Sequence, residues 1–179
     1  MKKNKVVIVF LVKFFVVYFS LTALYSLYLN TTQIKDTTYS CSPITSSVAN
    51  HAKSVSEVLG YEVVTNQNPN EFSLAFDVNG KVVAKIVEGC TSIAIMILFL
   101  SFIVAFSGGL KKTILFGVIG LLLIYATNIF RIVFMALAIY HYPEYTKILH
   151  DIVFPGMIYG MVFFLWIIWV NKFATINKR

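Results

Sequence analysis

Charge is scarce in this chain. Only 13% of its 179 residues are charged, against about 25% in soluble domains. Together with 58% hydrophobic residues and a mean hydropathy of +0.78, that shortage excludes a freely soluble domain. Cysteine is scarcer still. Cys41 and Cys90 stand alone, too few for a disulfide scaffold. No CxxC, HExxH, GxGxxG or Walker pattern occurs, so metal, dinucleotide and nucleotide sites have no support and no cofactor is expected. Internal repeats and low-complexity tracts are also missing. What remains is the composition of an integral membrane protein.

The formal charge of +7 raises nucleic acid or anionic lipid as partners. Its distribution decides between them. Lys2, Lys3 and Lys5, then Lys111 and Lys112, then Lys172, Lys178 and Arg179 sit in short patches beside apolar runs. Such patches mark membrane topology and contact with lipid headgroups. A nucleic-acid footprint would interleave base-stacking aromatics with the basic residues, whereas here the aromatics lie inside the apolar runs. No nucleic-acid partner is expected.

Residues 6–29 form the first apolar run, broken only by Lys13. A hydrocarbon core of about 30 Å needs roughly 20 helical residues, so this is one span with Lys13 snorkelling to the basic N-terminus. A cleavable signal peptide would have a shorter apolar region ending in small residues. This run ends in Leu24-Tyr25-Ser26-Leu27-Tyr28-Leu29, which favours an uncleaved anchor.

Residues 30–89 are polar and read as a small α+β insert. Ser42-Pro43 is an N-cap with proline at the first helical position. The spacing of Ile44, Val48, Val55 and Leu59 predicts an amphipathic helix ending near Gly60 with those side chains on its apolar face. A strand is expected at Tyr61–Thr65 and a loop at Asn66–Asn70. Phe72, Leu74, Phe76 and Val78 then alternate up to Asn79-Gly80, followed by Lys81–Val87. Asn-Gly between β-formers is a strong hairpin signal, because both turn positions need positive φ.

Three more spans follow, at 91–107, 113–139 and 151–170, separated by the basic turn Gly108–Lys112 and the polar loop 140–150. The expected fold class is therefore an all-α polytopic membrane protein: four transmembrane helices with a small extracytoplasmic α+β insert between the first two. Its parts are a cytoplasmic tip and first helix (1–29), the insert (30–89), and a three-helix core with a basic tail (90–179). The N-terminus, the Lys111-Lys112 turn and the tail are basic, whereas the insert holds four lysines against six acidic residues. The positive-inside rule then puts both termini in the cytoplasm and the insert outside.

This topology gathers three polar side chains at one surface. Cys90 ends the insert. Arg131 lies 18 residues beyond Thr113, about 27 Å along the third span. Asn128, three residues earlier, shares its helix face. His150 opens the fourth span. Singly, each has an ordinary explanation: a packing cysteine, an arginine or histidine at the headgroups, an asparagine bridging helices. Together they suit acyl transfer. A thiolate is a nucleophile, and nearby positive charge favours it. A histidine can take the thiol proton and return it to a leaving amine. An arginine can bind the oxyanion of the tetrahedral intermediate. Glu88 and Asp151 are at hand to orient these groups.

Glu88-Gly89-Cys90-Thr91-Ser92, Asn128-Ile129-Phe130-Arg131-Ile132, and His150-Asp151 followed by Gly156 resemble the three motifs of the exosortase/archaeosortase family. The short exosortase F type of flavobacteria-like bacteria is the closest. The resemblance covers roughly residues 85–165. It implies Cys90 as nucleophile, Arg131 as the essential basic residue and His150 as acid/base. It also implies a partner: the C-terminal sorting signal of an exported protein, made of a short motif, a transmembrane helix and a basic tail. The product would pass to an acceptor nucleophile at the outer face of the bacterial cytoplasmic membrane. Larger members have about twice as many spans, and Thr91-Ser92 departs from the family's pattern after the nucleophile. Two other readings compete. One is a non-catalytic membrane subunit whose insert is a binding module. The other is a thiol-redox membrane protein that uses a Cys41–Cys90 disulfide on the oxidising side.

Overall fold

The computed structural model of the chain describes residues 2–35, 39–106 and 109–173. Its elements run in the order α1 (Lys2–Thr32), β1 (Ile34–Lys35), β2 (Tyr39–Ser40), α2 (Pro43–Val58), β3 (Val63–Gln67), β4 (Ser73–Val78), β5 (Lys81–Val87), α3 (Ile93–Ala105), α4 (Leu110–His141) and α5 (Phe154–Lys172). Three stretches are long and apolar enough to cross a membrane: Val6–Thr32, Leu110–His141 and Pro143–Lys172. The apolar stretch after Cys90 forms a shorter helix, α3, of 13 residues. At 1.5 Å per residue it is about 20 Å long. The many exposed valines, leucines and phenylalanines of α1, α4 and α5 would be untenable against water. They are the lipid-facing surface of a multi-pass membrane protein.

The described residues divide into two units. The first comprises those of Met1–Leu27, Ile93–Ile124 and Tyr159–Arg179. Its core gathers Phe99, Ile103, Ile124, Val162, Leu165 and Trp169. Aromatic rings do much of the packing: Phe102 stacks on Trp166 with centroids 4.3 Å apart, and Phe10 meets Phe106 at 4.4 Å. Gly120 makes room for Phe99, since a Cβ there would lie 2.3 Å from the buried ring.

The second unit, Tyr28–Ser92 with Tyr125–Ile158, carries the insert and the later half of α4. Ser42 caps α2, its hydroxyl accepting from the Thr45 amide at 3.4 Å, with Pro43 following. The helix buries Thr45, Val48, Ala49, Ala52 and Ser56, while Val55 and Leu59 are exposed. The expected apolar face is thus corrected. Small side chains pack closely against the sheet, and only Val48 of the four predicted residues is fully buried. The sheet is antiparallel in the order β3-β4-β5, with β3 reaching Gln67, inside the stretch expected to be a loop. Leu74, Phe76 and Val78 alternate inward as expected. Asn79 and Gly80 turn the hairpin with φ of 50° and 80°.

This sheet does not close its core alone. Ile129, Ile132, Val133, Ala136 and Ile139 of α4 belong to the same buried cluster as Val48, Phe76, Val78 and Ile86. Polar bonds fix the edges of that packing. His51 Nδ1 and Tyr125 Oη are hydrogen-bonded at 2.6 Å, and Tyr61 Oη and His141 Nε2 at 2.9 Å. Asn79 Nδ2 donates to Tyr140 Oη at 3.4 Å.

Candidate active site

Strand β5 runs directly into a single 3₁₀ turn, Glu88–Thr91, which carries Cys90. Thr91 Oγ1 donates to the Glu88 carbonyl at 2.8 Å and ties the turn to itself. Ser92 ends it in the left-handed region, with φ of 60°, a conformation costly for a residue with a Cβ. The chain can therefore leave a strand, present one residue and start α3 within five positions. Cys90 is half-buried against the core of its unit.

What holds this turn from outside is Asn128. Its side chain is fully buried, and Nδ2 donates to the Cys90 carbonyl at 2.7 Å. Arg131 lies one helical turn further along α4, on the same face. Its Nε is buried without a hydrogen-bond partner, as are Asn128 Oδ1 and Ser92 Oγ. A buried polar atom left unpaired costs about 1–3 kcal/mol, so three of them on the Cys90 turn and the α4 face that anchors it constitute a polar demand that the chain itself leaves unmet.

The remaining predicted residues sit as follows. Glu88 Oε2 accepts from Gln33 Nε2 at 2.8 Å, so this carboxylate fastens the Cys90 turn to the residue that follows α1. It makes no bond to His150. His150 and Asp151 lie on a π-helical turn, Leu149–Val153, a wide geometry often found at functional sites. His150 Nδ1 is hydrogen-bonded to Asp151 Oδ1 at 2.9 Å, which leaves Nε2 free as the basic nitrogen. Both side chains are exposed, at 64% and 53%. Among the described residues no hydrogen bond or ion pair joins Cys90, Arg131 and His150 to one another. Gln33 and Ser92 were not singled out by sequence. Gln33 carries no motif, and Ser92 gives no local hint of its left-handed backbone.

Cys41 has the opposite setting to Cys90. It is 6% exposed, and both cysteines are free thiols rather than the disulfide that a redox reading requires. Burial pushes the Cys41 thiol above its ordinary range; a hydrogen bond from Gln67 opposes this and the Glu88 charge adds to it. A thiol held in its protonated form is poorly suited to nucleophilic work. Among the described residues there is no cluster of His, Cys, Asp and Glu able to hold a metal ion.

A model of the transmembrane exosortase family matches residues 4–170 of the chain. No curated protein and no solved structure matches it.

Proposed function

Since the chain belongs to the transmembrane exosortase family, we propose that it is a membrane-embedded cysteine protease or transpeptidase processing the C-terminal sorting signals of exported proteins. In this reading α3 completes four spans, both termini are cytoplasmic, and Cys90 works at the outer face of the cytoplasmic membrane. The observation that carries it is the bond from buried Asn128 to the Cys90 carbonyl, which fixes the cysteine's turn to the helix bearing Arg131. A packing cysteine needs no such anchor.

The chemistry follows from the side chains. His150 Nε2 takes the Cys90 proton, and the thiolate attacks the carbonyl carbon of the scissile peptide bond, forming a C–S bond. The electron pair of the carbonyl moves to oxygen, where the Arg131 guanidinium stabilises the developing charge. As the intermediate collapses, the C–N bond breaks and the His150 imidazolium returns its proton to the leaving amine. The resulting thioester passes its acyl group to an acceptor nucleophile or to water, which regenerates the thiol. Asp151 holds His150 in the required tautomer.

The test is the gel mobility of a natural substrate in a deletion strain complemented by variants. Cys90→Ala should insert normally and process nothing. Cys90→Ser should be nearly as inactive, because a hydroxyl ionises far less readily than a thiol. Normal processing by Cys90→Ala overturns the reading.

A further inference from the structure

The unmet polar atoms on the Cys90 turn and on the α4 face that anchors it have a definite pattern. Asn128 cannot turn its amide over, because that would set Oδ1 against the Cys90 carbonyl oxygen, which Nδ2 now meets at 2.7 Å. Oδ1 is therefore fixed as an acceptor. Arg131 Nε–H can only donate, and the Ser92 hydroxyl can do either. Asn128 is 0% exposed and Ser92 is 4% exposed. An acceptor and a donor on one helix face, one turn apart, match a group that offers one N–H and one C=O. One residue of an extended peptide is such a group, because its own N–H and C=O point to the same side. Neither an isolated anion nor a cation would satisfy both atoms.

We propose that Asn128 is a substrate-binding residue: Nδ2 holds the Cys90 turn while Oδ1 accepts the backbone N–H of a peptide bond next to the scissile one. This rests on the proposed peptidase reading and names how that site takes its substrate. One amide would thus fix both reactants, the nucleophile through its own carbonyl and the substrate through its N–H. That coupling limits the error in their relative placement, on which the attack rate depends steeply. It also gives the site a backbone preference, since the bond asks for an N–H and no particular side chain. Proline immediately after the recognised peptide bond would be rejected.

The experiment uses the purified full-length chain in detergent and synthetic sorting-signal peptides of a natural substrate, each with one backbone amide N-methylated. Cys90-dependent turnover of the unmethylated peptide establishes the underlying reading. Its absence overturns both that reading and this proposal. With turnover in hand, one methylated position should lose about 10- to 100-fold in kcat/KM, the scale of one buried hydrogen bond. The same peptide should suffer no further loss in Asn128→Ala. Asn128→Asp, which keeps an acceptor and loses the donor, should turn over slowly yet remain sensitive to that methyl group. Protection of the buried Cys41 from N-ethylmaleimide at the wild-type level identifies variants that are folded. A methylation penalty of equal size in wild type and folded Asn128→Ala overturns the proposal. So does a uniform fall in kcat for every peptide, which would mean that Asn128 acts only through Cys90.

Discussion

The two thiols of this chain test its electrostatics at the level of single residues. Cys41 has a raised pKa because burial disfavours its thiolate. A group raised in the folded state contributes stability that is complete below its unfolded pKa. That contribution is lost as pH rises through the folded value. Native protein at pH 8 should therefore alkylate at Cys90 and resist at Cys41, and denaturation should equalise them. Peptide mass spectrometry after a timed maleimide pulse reads this directly. Equal native rates would contradict the burial of Cys41. Arg131 offers a sharper discrimination. Lysine keeps the charge but loses the planar fork of donors. Arg131→Lys should fail in substrate processing, whereas full activity would reduce Arg131 to a headgroup contact. His141→Ala, which loses the bond to Tyr61 and ring contacts with Tyr140 and Tyr142, should be mild beside a null His150→Ala. The placement of Asn128 and Arg131 on one helix face was legible in the sequence by spacing alone. Gln33 was not, because its partner Glu88 is 55 residues away and only the tertiary path joins them.

At the scale of elements, glycines mark where geometry is least forgiving. Gly80 has φ of 80°, and a β-branched residue resists that region. Gly80→Val should leave membrane insertion intact and reduce processing, because the hairpin it closes leads through β5 into the Cys90 turn. Unchanged processing would mark the hairpin as peripheral. Gly120→Ala should be worse than Gly117→Ala for stability. The first drives a methyl into the buried Phe99 ring at 2.3 Å, while the second meets the flexible end of Ile103 at 3.3 Å. Overpacking typically costs about 1–3 kcal/mol, so Gly120→Ala should melt several degrees lower in detergent. The hairpin was legible because Asn-Gly is a local signal. The buried face of α2 was not. Hydrophobicity pointed to Val55 and Leu59, but close approach to the sheet selected Ala49, Ala52 and Ser56, a choice that size makes and polarity conceals.

For the whole molecule, the proposed topology predicts that a reporter fused after Lys112 reads cytoplasmic and one fused near Asn66 reads external. Reversal at either position would separate the candidate residues from the outer surface. Three membrane-crossing stretches were evident from length and composition. The extent of α3 was not, since its first residue is set by the left-handed Ser92 rather than by hydropathy. If α3 crosses, as the proposed topology has it, a helix of about 20 Å in a core of about 30 Å requires local thinning or snorkelling around it. Lengthening α3 by one turn should then disturb the Cys90 turn at its start, and a fall in Cys90 alkylation rate would report it.

The cluster shared by the insert and α4 also has a consequence in time. Synthesis delivers Val48, Phe76, Val78 and Ile86 well before Ile132, Val133, Ala136 and Ile139, which complete their core. On the proposed topology the insert is exported first and waits outside with an open apolar face. Nascent chains that end before Tyr125 should therefore expose the insert to protease. Chains extended past His141 should protect it. Protection of the shorter chains would show that the insert matures alone. Otherwise the Cys90 turn is assembled only when the helix bearing Asn128 and Arg131 arrives, and on the proposed function no truncated product carries an armed thiol.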